Sequence, residues 1–163
     1  MKRWFIIFAT VMMMLLPISV FASPDTLGLD EKGTVDSLIV CNNGTGEGET
    51  TFETNFVLSG SGKQNVVATM YIFDNETQLY KKVYITKDGK LVEAEWVIGA
   101  SGLFMQEVTL TEGNNKFAIR AAKEGDTQVV HLEIVRMNQD FFAIIKGIKV
   151  DLNAIYDSIL NGQ

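Results

Sequence analysis

The stretch Leu110–Ala122, LTEGNNKFAIRAA, carries the clearest structural signal in the chain. Phe117, Ile119 and Ala121 occupy every second position, which is the side-chain period of a half-buried β-strand. The preceding residues, 112–115, are Glu-Gly-Asn-Asn, and glycine and asparagine tolerate positive φ and bond to nearby backbone groups. The stretch therefore predicts a reversal between two antiparallel strands.

Similar short apolar runs lie on both sides of this stretch and are separated by turn residues. They are Val35–Val40, Phe52–Leu58, Val66–Phe73, Leu79–Ile85, Leu91–Ile98, Phe104–Leu110 and Val130–Ile134. SGSGKQN (59–65) follows the second run as a glycine-containing turn, Asp88-Gly89 is a hairpin signal, and Lys123–Asp126 is a further turn. About seven or eight strands over roughly 100 residues, without long helical segments between them, predict an all-β fold, an antiparallel β-sandwich at residues 34–137.

GLFMQEVTLTEGNNKFAIRA (102–121) resembles the closing motif of bacterial immunoglobulin-like domains in exported proteins, G-x-F followed by V-x-L-x-x-G-x-N-x-I-x-V-x-A. The matching positions are Gly102, Phe104, Val108, Leu110, Gly113, Asn115, Phe117, Ile119 and Ala121. TFETNFVLSGSGKQNVVATMYIFD (51–74) is similar to the family's second and third strands. After Ala121 the family often has Asp-x-x-Gly-Asn, where this chain has Ala-Lys-Glu-Gly-Asp. The resemblance covers about Val35–Met137 and implies an immunoglobulin-like sandwich that serves as a structural or binding module of the bacterial envelope, without catalysis.

The first 22 residues predict a secretory signal peptide. Lys2 and Arg3 precede an uncharged run, Trp4–Leu16, and Pro17 and a small residue, Ala22, follow. A retained membrane anchor is the alternative, which the short apolar run disfavours. We expect a secreted, extracellular or cell-envelope protein. Residues 23–33, SPDTLGLDEKG, have no apolar period and predict a flexible leader.

The charge balance excludes some classes of partner. Removal of Lys2 and Arg3 leaves 12 basic residues against 20 acidic ones, a net charge near −8. An acidic chain without basic clusters disfavours nucleic acid and anionic lipid as partners. The single cysteine, Cys41, forms no internal disulfide and is interpreted as a small, partly buried apolar residue at the end of a strand.

After Met137 the apolar period changes from that of a strand to that of a helix, which predicts a C-terminal amphipathic helix at residues 138–161. The candidate partner-binding residues on its apolar stripe are Phe141, Phe142, Ile145, Ile148, Leu152, Ile155, Tyr156 and Ile159. The stripe packs on its own sandwich or binds another protein or a second copy of the chain. Lys146, Lys149 and Asp151 disfavour membrane insertion, so no integral membrane span is expected after removal of the signal peptide.

The residues for catalysis are sparse. His131, the only histidine, shares a strand face with Glu133 and is interpreted as half of a surface pair. One histidine and one cysteine are too few for a zinc site, and SGSGK lacks P-loop spacing, so no catalytic residue, cofactor or metal is predicted. We expect a non-catalytic structural or protein-interaction module. The alternatives are a carbohydrate-binding module using Tyr80, Tyr84 and Trp96, and a small secreted hydrolase.

Overall fold

The computed structural model describes residues 23–45, 49–138 and 140. Residues 1–22, predicted as a signal peptide, lie outside the described residues. In the described part the strands are β1 (Thr26–Leu27), β2 (Ile39–Cys41), β3 (Thr50–Thr51), β4 (Asn55–Gly62), β5 (Val67–Asp74), β6 (Leu79–Lys82), β7 (Tyr84–Lys87), β8 (Lys90–Glu93), β9 (Glu95–Val97), β10 (Leu103–Thr109), β11 (Gly113–Lys123) and β12 (Asp126–Arg136). The fold is all-β, as predicted.

The strands form two main sheets and a separate hairpin. The large sheet has the order β1-β6-β5-β11-β12-β3, with β9 also paired to β5. The small sheet has the order β10-β4-β2, and β7 and β8 form the hairpin. Pairing is antiparallel except between β3 and β12. This topology joins strands that lie far apart in the sequence.

The core lies between the two sheets. The small sheet contributes Leu58, Phe104 and Val108, and the large sheet contributes Ile119 and Leu132, all of them buried in one cluster. Their neighbours in sequence point to the opposite faces, because side chains alternate along a strand. The face-to-face packing is that of a β-sandwich.

Two of the predicted turns are confirmed as tight hairpins. Asp88 and Gly89 join β7 to β8 with φ angles of 51° and 73°. Glu124 and Gly125 join β11 to β12 with φ angles of 53° and 96°. Two successive residues with positive φ are the signature of the type I′ turn, whose twist matches that of the flanking strands.

The reversal predicted at residues 112–115 is a connection between sheets. β10 ends at Thr109 in the small sheet, and β11 begins at Gly113 in the large sheet, so the two strands are not partners. The buried side chain of Asn115 holds the connection: its Oδ1 accepts from the Thr111 N–H at 2.8 Å, and its Nδ2 donates to the carbonyls of Thr111 and Gly113 at 2.8 and 2.9 Å. The amide thus replaces the strand pairing that a hairpin would have supplied.

The segment predicted as a turn after Leu58 is divided: residues 59–62 belong to β4, and the turn itself lies at residues 63–66, where the Val66 N–H donates to the Lys63 carbonyl. Gly60 lies opposite Phe104 in the small sheet, and a Cβ on Gly60 would approach the Phe104 ring to 2.5 Å. A Cβ on Gly62 would meet Ile98 at 2.5 Å. Glycine is therefore used here for close packing inside a strand, a role that composition alone does not distinguish from a turn.

Residues 23–34, the N-terminal segment, are attached to the large sheet at both of its edges: Thr26–Leu27 pair with β6 as strand β1, and Gly33 forms a bridge to Gln128 of β12. The Glu31 carbonyl contacts Nε2 of His131 at 2.9 Å, and the Lys32 carbonyl accepts from Val129 N–H at 2.8 Å. Leu27 is 1% exposed and packs with Tyr71, Tyr80, Ala118 and Val129. The segment predicted as a flexible leader is thus anchored to the fold at Ser23 and Leu27, which are buried, while most of its other residues are exposed. A single buried apolar side chain gives no apolar period in the sequence.

Candidate functional site

The outer face of the small sheet carries an exposed apolar surface, called here the apolar face. Its members are Val40, Val57, Leu103 and Met105, which are 60%, 48%, 64% and 77% exposed. Strand register brings them together: Val40 and Leu103 both lie opposite Ser61, and Met105 lies opposite Ser59. Leu103 and Met105 follow each other on this face, whereas Ser61 of β4 lies between Leu103 and Val40. Exposed apolar side chains gathered on one face of a sheet mark a candidate site of association.

The sequence of β10 produces this face by simple alternation. Phe104 and Val108 are buried in the core, so Leu103, Met105 and Glu107 must point outwards. In the described part of the chain β10 pairs only with β4, so its other edge has no strand partner, although side chains bond the Leu103 N–H and the Glu107 carbonyl. An exposed, mainly uncharged edge strand is a template for pairing with another chain. A shallow cavity of about 410 Å³ adjoins the face and is lined partly by Leu103 and Met105.

The three aromatic residues predicted as a sugar platform do not share a surface. Tyr80 is buried on the outer face of the large sheet, where its ring packs on Phe73 and on His131. Trp96 is half-buried at the core, with its ring centroid 5.9 Å from that of Phe104. Tyr84 is exposed on the β7–β8 hairpin. The stacking surface that a sugar ring needs is not assembled from these residues.

The candidate partner-binding residues of the predicted C-terminal helix, from Phe141 to Ile159, lie outside the described residues. β12 ends at Arg136, and the next residue, Met137, donates its N–H to the Thr51 carbonyl at 2.8 Å. The helix and its partner stay predictions.

A second cluster of interest surrounds Ser23 at the start of the N-terminal segment. Lys82, which is buried, donates to the Ser23 carbonyl at 2.6 Å and to Oε1 of Glu93 at 3.0 Å. Burial by itself lowers the pKa of Lys82, but the hydrogen bond and charge of Glu93 outweigh it, and the pKa is raised above 10.5. The ammonium is therefore charged and serves as the centre of this cluster.

A cavity of about 590 Å³ opens beside Ser23. Glu93 and Glu95 line it, together with Lys123, Glu124 and other residues of the β11–β12 hairpin. The Oγ atoms of Ser23 and Thr69 are 2.7 Å apart, and the Thr69 hydroxyl donates to Oε2 of Glu95 at 3.3 Å. The cavity is therefore acidic on the side where the N-terminal segment begins.

His131 and Cys41, the two side chains with the most reactive chemistry, are both packed against other parts of the fold. His131 bonds the Glu31 carbonyl through Nε2 and packs on Tyr80, which makes it a contact of the N-terminal segment, whereas the sequence suggested only a surface pair with Glu133. Cys41 is buried, and burial raises the pKa of its thiol to about 11, so the nucleophilic thiolate is scarce at neutral pH. Among the described residues no three potential ligands gather into a metal site.

Two features of these sites have signals in the sequence. Alternation within LFMQEV implied that Leu103 and Met105 point away from the face of Phe104. Lys82 shares the strand face of Tyr80, which indicates that it lies beside a buried aromatic residue. No sequence signal indicated that Ser23 would meet Lys82, since that contact joins distant segments.

No protein-family model, curated protein or solved structure matches the chain. The resemblance to immunoglobulin-like domains therefore stays a prediction from the motif. The part of the chain that the structure describes contains no helix long and apolar enough to cross a membrane.

Proposed function

We propose that this chain is an exported, immunoglobulin-like β-sandwich module with a non-catalytic role in structure or protein association. The observation that carries the proposal is the apolar face, where Leu103 and Met105 remain 64% and 77% exposed beside an unpaired strand edge. Exposing such a surface favours aggregation unless a partner covers it.

The occupant that we propose for this face is a second copy of the chain. Two β10 strands placed edge to edge in antiparallel orientation form backbone hydrogen bonds and join two small sheets into one. Apolar side chains then lie next to apolar side chains across a two-fold axis, and self-complementarity is what such an axis requires. β10 carries one charged residue, Glu107, so little charge repulsion opposes the pairing.

Export is supported by the residues at the start of the chain. The charged residues Lys2 and Arg3, the apolar run after them and Ala22 together predict cleavage before Ser23. N-terminal sequencing of the protein recovered from outside the cytoplasm tests this part: a chain that begins at Ser23 supports it, and an intact Met1 in an exported chain contradicts it.

Light scattering coupled to size-exclusion chromatography tests the association. The chain from Ser23 to Gln163 should show twice its monomer mass at high concentration, and the double variant Leu103→Lys with Met105→Lys should stay monomeric. Leu91→Lys is the matched control, because Leu91 is 70% exposed on β8 and outside the apolar face. A wild-type chain that is monomeric at every concentration refutes the proposal. Loss of the dimer on deletion of residues 139–163 alone would assign association to the predicted helix.

A further inference from the structure

Ser23 is held far more firmly than a residue of a flexible leader. It is 8% exposed, and both its side chain and its carbonyl are hydrogen-bonded to the large sheet. Its Oγ lies 2.7 Å from Oγ1 of Thr69, its carbonyl accepts from Lys82 at 2.6 Å, and Nη1 of Arg120 approaches its Oγ at 3.4 Å. The backbone of Ser23 is thus positioned at the wall of the acidic cavity.

The charges around Ser23 are unequal in number. Among the described residues that contact Ser23 or its partners, Lys82 and Arg120 are cations, whereas Asp25, Glu93 and Glu95 are anions. Lys82 pairs with both Asp25 and Glu93, which leaves the Glu95 carboxylate with a neutral hydroxyl as its bonded partner among the described residues. Glu95 is exposed, so a further positive charge can lie beside its carboxylate without displacing another cation among these contacts.

The geometry points to a binding site for the α-ammonium group of Ser23, with Glu95 and Glu93 as its carboxylate partners. This inference rests on the proposed export, because the group forms only when a peptidase hydrolyses the Ala22–Ser23 peptide bond. Water adds across the C–N bond: Ala22 leaves with a carboxylate, and Ser23 keeps the nitrogen as an ammonium group. After cleavage, the new ammonium group pairs with the carboxylates of Glu95 and Glu93, and this ion pair holds the N-terminal segment more strongly on the large sheet.

An uncleaved or extended chain has an amide at this nitrogen. An amide offers at most one N–H and no charge, whereas an ammonium group offers three donors and a full positive charge. Charge-assisted hydrogen bonds are about twice as strong as neutral ones. The processed chain should therefore be the more stable form, and its N-terminal segment should detach less often.

A double-mutant cycle tests the site with chains that need no export. A removable fusion partner yields one chain that begins at Ser23 and another that begins with Gly-Ser before Ser23, each with and without Glu95→Gln. Urea unfolding should show that the extension lowers the folding equilibrium constant about fivefold in the wild-type background, the upper range for an ion pair with an exposed carboxylate. With Glu95→Gln the extension should change the constant by less than about twofold, because the charge partner is absent.

The controls separate charge from crowding. Glu107→Gln removes an exposed carboxylate on β10 and should leave the effect of the extension unchanged. An equal loss in the wild-type background and in the Glu95→Gln background would assign the effect to steric crowding and overturn the site, and so would the absence of any loss. A second measurement is the acylation rate of the Ser23 amine at neutral pH, which should rise with Glu95→Gln and not with Glu107→Gln. These outcomes do not depend on where the protein resides, so they can fail while export holds.

Discussion

Asn115 is the residue whose replacement most directly tests how the two sheets are joined. Its side chain is 7% exposed and bonds the Thr111 N–H, the Thr111 hydroxyl and the carbonyls of Thr111 and Gly113, at 2.8 to 3.1 Å. Asn115→Ala removes these partners and leaves the backbone groups of the connection unpaired. The sheets should lose part of the link that orients β10 against β11.

The magnitude follows from the number of bonds and their burial. A net hydrogen bond contributes about 1 kcal/mol, and a buried group left without a partner costs about 1 to 3 kcal/mol. Thr111 is itself exposed, so water can satisfy part of the loss there. We expect Asn115→Ala to lower the free energy of unfolding by about 3 kcal/mol, which with an m-value of about 1.5 kcal/mol/M moves the urea midpoint by about 2 M.

The neighbouring residue supplies a matched control. Asn114 is exposed and bonds only the Glu133 carboxylate among the described contacts, so Asn114→Ala should cost less than about 0.5 kcal/mol. The assay is urea unfolding of the chain from Ser23, followed by the fluorescence of Trp96. Asn115→Asp should be worse at neutral pH than at acid pH, since an ionised carboxylate would face the carbonyls that the amide donates to. Equal, small losses for Asn114→Ala and Asn115→Ala would refute the reasoning.

Three further predictions concern packing, reactivity and pH. Gly60→Ala should lower the free energy of unfolding by about 1 to 3 kcal/mol, measured in urea, because the added Cβ would collide with the Val40 carbonyl and the Phe104 ring. Gly99→Ala should lower it far less, because a Cβ there has no neighbour within 4 Å. The Cys41 thiol, with its pKa raised to about 11 by burial, should react with a thiol reagent at pH 8 about 100-fold more slowly in the native than in the urea-unfolded protein; equal rates would contradict its burial. The hydrogen bond from Lys81 lowers the pKa of Asp74 from 3.8 to about 2, so Asp74 contributes stability that is present above pH 3.8 and lost as the pH falls through 2. The difference in urea midpoint between the wild type and Asp74→Asn should shrink over that range, and a difference independent of pH would count against the ion pair.

Local features of the fold were predictable because neighbouring residues determine them. Two-residue alternation identified β5, β11 and β12, and Asp88-Gly89 identified a hairpin, since a type I′ turn requires residues that tolerate positive φ. Gly60 shows the limit of this reasoning. The same residue type serves turns and close packing, and only the tertiary neighbours of Gly60, the Val40 carbonyl and the Phe104 ring, decide between them.

The candidate sites were predictable only in part. Leu103 and Met105 could have been placed on an outward face by alternation, but the absence of a neighbouring strand beyond β10 in the described chain is a property of the sheet order. The residues predicted as a sugar platform illustrate the same limit: Tyr80 and Trp96 are both aromatic, but they pack on opposite faces of the large sheet. The residues of the predicted helix, from Phe141 onwards, lie outside the described part of the chain.

By itself the sequence determined that the described chain is all-β and where several of its turns fall, because strand period and turn chemistry depend on residues within a few positions of each other. The tertiary structure decided which sheet each strand joins, that Leu27 and Ser23 pack against the large sheet, and that Lys82 is buried beside Glu93. These outcomes depend on contacts between distant segments, whose free energies no local pattern encodes. The stretch LTEGNNKFAIRAA shows both kinds of information. Its alternation predicts β11 from the sequence, whereas only the structure shows that the hydrogen bonds of Asn115 hold a connection that passes from one sheet to the other.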